Sequence, residues 1–412
     1  MNFEAFNFHP AVAAGITKAG FTTPTPIQCQ AIPPIMNHQD VMGLAQTGTG
    51  KTAAFVLPIL HRLLKKSPAD QKSGGPRALI MTPTRELAEQ IHQAIRELGP
   101  KTRLKSATVY GGVGIAPQIQ KLKQTDIIVA CPGRLLDHIG RRTVKLSRLE
   151  VLVIDEADQM FDMGFLPDIK RIIGNLPSRR QTMLFSATMP DTVRRLAREI
   201  LHQPVTVQIG TTAPAETVSH ALYPVSQHLK TALLLNMLEN TPASSVLVFT
   251  RTKHRAVNLG KKLARAGHRS ASLQGNLSQK QRQIAMDGFR DGTYKILVAT
   301  DIAARGIDVT RVSHVINYDI PATPEAYIHR IGRTGRATRG GQAFTLITRD
   351  DKDMVQAIKR VIGSKVEQRT LATFNYDTPA ARADKPAPPR QQQRRKPFKA
   401  VSGPRRPRAT AG

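Results

Sequence analysis

Short, continuous apolar runs alternate with amphipathic stretches along this chain. DVMGLA, ALIMTP, SATVYGG, DIIVACPG, LEVLVIDEAD and QTMLFSAT punctuate the first half, and each is separated from the next by a segment of helical periodicity. Runs of this length, apolar on both sides of the pleat, predict strands of a parallel sheet covered by helices on both faces. The pattern then restarts with SSVLVFTRTK, RSASLQGN, YKILVATDIAARG, VSHVINYDIP and GQAFTLIT. Two α/β domains in tandem follow, over residues 1–207 and 221–368, joined by the small, polar segment QIGTTAPAETVSH at 208–220. Periodicity fades after about residue 369, so 369–412 is expected to be a tail. From residue 381 it carries ten basic residues, one acid and six prolines, a composition that predicts disorder.

The length of 412 residues agrees with two cores, because single cores stop growing near ~250 to 300 residues. No apolar run approaches the ~18 to 20 residues of a membrane span, and the opening MNFEAFNFHP has neither the basic nor the apolar region of a secretory leader. Cys29 and Cys131 fit no metal-ligand spacing and predict a reducing, cytoplasmic setting. Charge changes the picture most. Sixty Lys and Arg against thirty acids leave a formal net charge of +30, which points to a polyanionic partner such as nucleic acid rather than to surface solubility alone.

Against that excess, VLVIDEAD at 151–158 concentrates Asp155, Glu156 and Asp158 within four positions. Carboxylates so close must be hydrated, paired or set on a cation. The plainer reading is a helix start whose dipole favours acids. About a hundred residues upstream, AQTGTGKT at 45–52 follows one predicted strand and precedes a helix, which is the setting of a phosphate-binding loop. Here Ala45 replaces the first glycine of the strict pattern. Gln46, Thr47, Gly48, Thr49 and Gly50 would wrap the phosphates, Lys51 would reach the β- and γ-phosphates, and Thr52 would place its hydroxyl on Mg²⁺. Because ligands of doubly wound sheets gather at the carboxyl ends of strands, Asp155 is carried to the same edge, where it would hold the metal. Glu156 would then polarise the attacking water, leaving Asp158 to tie this loop to its neighbours.

These motifs, in this order, resemble the DEAD-box ATP-dependent RNA helicases from about residue 3 to residue 348. The resemblance implies two RecA-like domains, ATP and Mg²⁺ as cofactors, and RNA as partner. GFTTPTPIQ at 20–28 is similar to the family's Q motif, with Gln28 on the adenine and Phe3 at the upstream aromatic position. Pro83, Thr84 and Arg85 of PTRELA, then Gly111 and Gly112, then Pro132, Gly133 and Arg134 of CPGR match the RNA-backbone motifs of the first domain. The family usually has Thr where this chain has Cys131, and a thiol is a poorer donor than a hydroxyl. Ser186 and Thr188 of SAT resemble the motif that couples hydrolysis to strand opening, through Asp158.

In the second domain HRIGRTGR at 329–336 would by itself be a basic surface turn. The resemblance makes Arg333 and Arg336 arginine fingers on the γ-phosphate and His329 a link to the first domain. It also places Asp308 on the ATP ribose, Thr300 and Arg305 in a segment joining ATP to RNA, and Arg251, Gln279 and Arg282 on RNA. The segment FNYDTP (374–379) and the basic tail look most like the bacterial RhlE-type branch. The implied activity is RNA-stimulated ATP hydrolysis with local separation of short duplexes, by a monomer whose further partners are ribosomal or RNA-degradation proteins. An ATP-gated RNA clamp or assembly scaffold is the alternative, and a DNA translocase is disfavoured by the RNA-type motif set.

Overall fold

Each half of the chain folds its apolar runs into one seven-stranded sheet. The computed structural model describes residues 2–45, 48–65, 75–209, 218–241, 243–304, 312–334, 341–362 and 366–379. The first sheet comprises β1 (Val41–Leu44), β2 (Ala78–Met81), β3 (Ser106–Val109), β4 (Ile127–Ala130), β5 (Val151–Ile154), β6 (Gln181–Ser186) and β7 (Val205–Gln208), in the order β3-β4-β2-β5-β6-β1-β7. The second comprises β8 (Val218–Pro224), β9 (Val246–Phe249), β10 (Ser270–Leu273), β11 (Ile296–Ala299), β12 (His314–Asn317), β13 (Gly341–Ile347) and β14 (Glu367–Gln368), in the order β10-β11-β9-β12-β13-β8-β14. Neighbouring strands pair in parallel throughout, for example Val151 opposite Ala78 on one side and Gln181 on the other. Position for position, the two orders are the same topology.

The alternation of side chains along each strand divides the apolar residues between two cores per sheet. Val151 and Val153 of β5 enter one layer and Leu152 and Ile154 the opposite one, and Leu247 and Phe249 of β9 separate from Val246 and Val248 in the same way. Helices cover both faces. Arg85–Leu98 buries Leu87, Ala88, Ile91, Ile95 and Leu98 at helical spacing and starts at Thr84, whose hydroxyl accepts the Leu87 N–H at 3.3 Å. Its counterpart Lys253–Arg265 buries Ala256, Leu259, Gly260 and Leu263, with Thr252 accepting from the Arg255 N–H. The described residues up to Tyr376 form one compact unit. Among the described residues no helix is long and apolar enough to cross a membrane.

Two expected boundaries shift. The segment expected as a linker, 208–220, gives Gln208 to β7 and 218–220 to β8. β7 is a half-exposed edge strand, and Ser219 with His220 interrupts the apolar pattern of β8, so neither announces itself by hydrophobicity. The tail expected from residue 369 also begins later. Arg369 N–H donates to Leu222 O at 2.8 Å, and Leu371, Phe374 and Tyr376 pack on the second sheet's core. Three apolar side chains at irregular spacing carry no periodic signal. Residues 210–217 of the linker and 380–412 of the tail lie outside the described residues.

Candidate nucleotide and RNA site

The carboxyl ends of β1, β5 and β6 bring the phosphate loop, the acidic cluster and SAT to one edge of the first sheet. Gly50 begins the helix Lys51–Leu64 with φ 96°, and a Cβ there would meet Gln28 Nε2 and Thr25 Oγ1 at 2.7 Å. Only glycine fits. Gln28, 4% exposed, donates to Gly50 O at 3.1 Å and accepts the Thr25 N–H at 2.9 Å, which fastens its helix to the loop. Lys51 is buried at the helix start, and its Nζ has no hydrogen-bond partner among the described residues. A cavity of about 930 Å³ opens beside Phe21, Gln28, Gly50 and Thr52 and extends to Gln283 and Met286 of the second domain.

Asp155, Glu156 and Asp158 are all buried behind this edge. Glu156 adopts φ 55°, an uncommon left-handed conformation for a side chain of its size, and begins the helix Ala157–Asp162. Burial pushes its carboxyl up to about 7; the Asp155 charge adds to the rise, whereas Lys51 and Arg333 oppose it. Burial raises Asp155 as well, with Lys51 opposing. Glu156 Oε2 has no partner among the described residues. Asp158 is held differently. Its Oδ2 accepts both the N–H and the hydroxyl of Thr188 at 2.8 Å, its N–H donates to Ser186 Oγ at 3.2 Å, and His329 Nε2 of the second domain stands 3.6 Å away.

The second domain delivers His329 and Arg333 from the end of helix Pro324–Ile331. Arg330, between them, points the other way. It forks onto Asp301 at 2.5 and 2.7 Å, donates to Asn317 Oδ1 and Asp319 O, and stacks over Phe249 at 4.9 Å. This fixes the helix relative to the segment after β11 that begins with Thr300.

On the other side of the same edge Arg85 lies against Gly112, where a Cβ would stand 2.2 Å from its guanidinium and where φ of 78° favours glycine. Arg85 donates to Gln279 Oε1 at 3.3 Å, and Arg282 grips Glu86 through Nε at 2.8 Å and Nη2 at 2.7 Å while donating to Ala303 O. Pro132 opens the helix Pro132–Gly140, Gly133 is exposed, and Arg134 donates to Val113 O at 2.9 Å. Cys131 precedes them, and burial pushes its thiol up to about 12, so it stays protonated. Arg251 stands apart, with its N–H on Asp319 and its guanidinium 4.0 Å from Asp351.

Comparison with known proteins fits this arrangement. The DEAD/DEAH box helicase family matches residues 25–196, and the helicase conserved C-terminal domain matches residues 229–338. The chain is 42% identical over 379 residues to the DEAD-box ATP-dependent RNA helicase CshA of Bacillus subtilis, spanning 91% of this chain and 75% of that protein. This chain belongs to the DEAD-box helicase family. It is also similar to the DEAD-box ATP-dependent RNA helicase RhpA of Helicobacter pylori, 40% identical over 91% of this chain and 75% of that one. A structure of S. cerevisiae Dbp5 bound to RNA and ADP BeF3 superposes with a TM-score of 0.81 at 32% identity, covering 90% of this chain and 95% of that chain. The two sheets of this helicase are therefore tandem RecA-like domains.

Of the residues singled out from the sequence of this DEAD-box helicase, Gln46, Thr47, Arg305, Asp308 and Arg336 lie outside the described residues. Phe3 does not stand where it was expected. It is 7% exposed and packs its ring 6.1 Å from those of Phe6 and Phe21; Phe21, 40% exposed, lines the cavity in its place. Glu86 and Arg330 were not singled out, although both lie inside quoted motifs. An acid following Arg85 and a third arginine beside two assigned ones were the available signals.

Proposed function

We propose that this chain is an ATP-dependent RNA helicase whose domains close together on ATP and one RNA strand, separating short duplexes locally and remodelling RNA or RNA–protein complexes. One observation carries the reading: Lys51, Asp155 and Glu156 of the first domain share a buried cluster with Arg333 of the second, whose His329 reaches the adjoining Asp158. The Dbp5 structure, which holds RNA and ADP BeF3 and superposes across both sheets, supports the same arrangement for closure here.

The orphaned Lys51 Nζ and Glu156 Oε2, beside a loop that tolerates no Cβ at Gly50, fit a triphosphate with a metal. Thr52 and Asp155 would hold Mg²⁺, which supplies charge neutralisation to the phosphate oxygens. A single carboxylate suffices because phosphates complete such sites, in keeping with the lack of a three-ligand cluster among the described residues. Gln28 and Phe21 receive the base. Glu156, poised near neutrality, orients the attacking water and takes its proton, while Lys51 and Arg333 offset the charge developing on the γ-phosphoryl group. Asp158 positions rather than reacts: Thr188 and His329 meet on its Oδ2, so the phosphate edge, SAT and the second domain move as one.

Arg85, Gly111, Gly112 and Arg134 present donors and bare backbone suited to phosphates of a single strand. A strand gripped this way leaves its duplex without long translocation. The Glu86–Arg282 pair joins the two domains beside it, so RNA bound across both favours closure and ATP turnover. The free cysteines support a reducing, cytoplasmic setting, and the tail supports placement in the RhlE-type branch. Strand separation of a short RNA duplex with excess substrate tests the proposal, beside ATPase stimulation by RNA and by DNA of the same sequence. Multiple turnovers, with RNA the stronger activator, are expected; a single bound turnover would convert the helicase into a clamp, and stimulation by DNA alone would overturn it.

A further inference from the structure

The opposite edge of the first sheet, where its strands begin, carries a charge pattern that the nucleotide and RNA site does not use. Backbone hydrogen bonds set the residues entering adjacent strands side by side: Asp126 N to Lys105 O, Arg77 N to Asp126 O and Glu150 N to Arg77 O at 2.8 Å, and Gln181 N to Glu150 O at 2.9 Å. The carboxylates of this inner row are already engaged. Glu150 pairs with Arg77 at 2.8 Å, Asp126 accepts the Lys105 N–H, and Asp40 accepts the N–H groups of Thr182 and His202.

One layer farther out, among the described residues, six cations lead into the strands. Arg103 leads into β3, Lys123 into β4, Arg141, Arg142 and Lys145 into β5, and Arg179 into β6, and all six are exposed. None of them forms an ion pair with a described carboxylate, and the segments that hold them contain no exposed acid. Arg103 and Arg142 adopt φ 58° and 54° at turns where glycine or asparagine would cost less.

We infer that this edge is a second RNA surface, which takes the sugar–phosphate backbone of a duplex arm flanking the strand in the cleft. The inference rests on the reading of the chain as an RNA helicase. Six unpaired cations spread along one edge suit a repeating anion. Among the described residues no large exposed apolar side chain accompanies them, since Phe21, Val113, Ile284 and Val361 lie elsewhere in the chain, so the anchors of a protein interface are not seen there. It likewise lacks aromatic platforms on which unpaired bases would stack, whereas a duplex is held through its phosphates. Because each strand here is only four to six residues long, a structured RNA engaged in the cleft can turn around the domain to this edge. The arm would anchor the enzyme on folded RNA while the cleft captures successive single-stranded segments.

The test uses the full chain and two RNAs, a single strand of about ten nucleotides and the same strand carrying a hairpin arm. In the variant Arg103→Gln/Arg141→Gln/Arg142→Gln/Lys145→Gln, affinity for the arm-bearing RNA should fall about tenfold or more. Its slope of log K against log salt should flatten by about 3 to 4, at roughly 0.9 per lost phosphate contact. Binding of the short strand, and the ATPase it stimulates, should be unchanged. Equal losses on both RNAs, or no loss on either, would overturn the inference, as would the same loss when the hairpin is replaced by an unpaired extension of equal length. If the short strand fails to stimulate the unmodified chain, the fault lies with the helicase reading instead.

Discussion

The two domains differ most where their topology matches best. In the first, Lys51 and Thr52 open the helix after β1 and Asp155 follows β5; in the second, Lys230 and Thr231 open the helix after β8 and Asp319 follows β12. Both lysines and both aspartates are buried. Yet Lys51 Nζ is without a partner among the described residues, whereas Lys230 Nζ lies 3.9 Å from Asp319, which also accepts Arg255 at 2.6 Å and the Arg251 N–H at 2.9 Å. The same residue pair thus leaves a buried, unpartnered lysine among the described residues of one domain and forms a closed internal network in the other. Nucleotide competence depends on charge left uncompensated inside the fold, together with a glycine loop that lets backbone N–H groups approach. At the matching place the described residues of the second domain show neither, and Arg333 follows a different helix, Pro324–Ile331.

Equivalent substitutions should break the two sites in opposite ways. Asp319→Asn strands Lys230 in the interior, so unfolding should become easier by ~3 to 5 kcal/mol in a denaturant titration, while kcat of the folded protein at saturating RNA stays close to that of the unmodified chain. Asp155→Asn should do the reverse, abolishing hydrolysis with little loss of stability, because burial already disfavours that carboxylate. If both substitutions act on stability alone, the comparison fails.

Glu156 sharpens it further. Its folded carboxyl sits at about 7 against an ordinary 4.5, so the native state retains a proton that the unfolded chain has released. Stability therefore falls as pH rises from about 4.5 through about 7 and is lowest above that. Glu156→Gln should remove this slope and stabilise the chain at pH 8 by on the order of 3 kcal/mol, seen in urea unfolding at two pH values, while the hydrolysis rate is lost. A steeper slope in the variant would contradict the assignment. The smallest effect belongs to Cys131, whose protonated thiol occupies the family's Thr position. Cys131→Thr should tighten binding of a short RNA by about 0.5 to 1.5 kcal/mol if the hydroxyl reaches a phosphate, and unchanged affinity would turn that side chain away from RNA.

The interior strands and the two loops of the phosphate edge were legible in the sequence because burial on both faces writes an unbroken apolar run and a phosphate loop demands Gly, Lys and Thr at fixed spacing. β7 and β8 were not, since an edge strand and a run broken by Ser219 and His220 carry little hydrophobic signal. Nor was the Lys230–Asp319 pair: two charged residues 89 positions apart become partners only when the parallel topology brings the connections after β8 and β12 to the same sheet edge, with β13 between them. Phe3 and Phe21 illustrate the remaining gap. Both are aromatic residues near the same loop, and only packing decides that Phe3 supports and Phe21 lines the cavity.

On the proposed function the first domain binds ATP and the second completes its hydrolysis. ATP affinity and single-turnover hydrolysis, measured with saturating RNA for Lys51→Ala and Arg333→Ala, separate the two contributions. Lys51→Ala should lose both, whereas Arg333→Ala should bind ATP nearly as the unmodified chain does and hydrolyse it ~10³-fold or more slowly. Hydrolysis by Arg333→Ala at the unmodified rate would contradict a site shared between the domains.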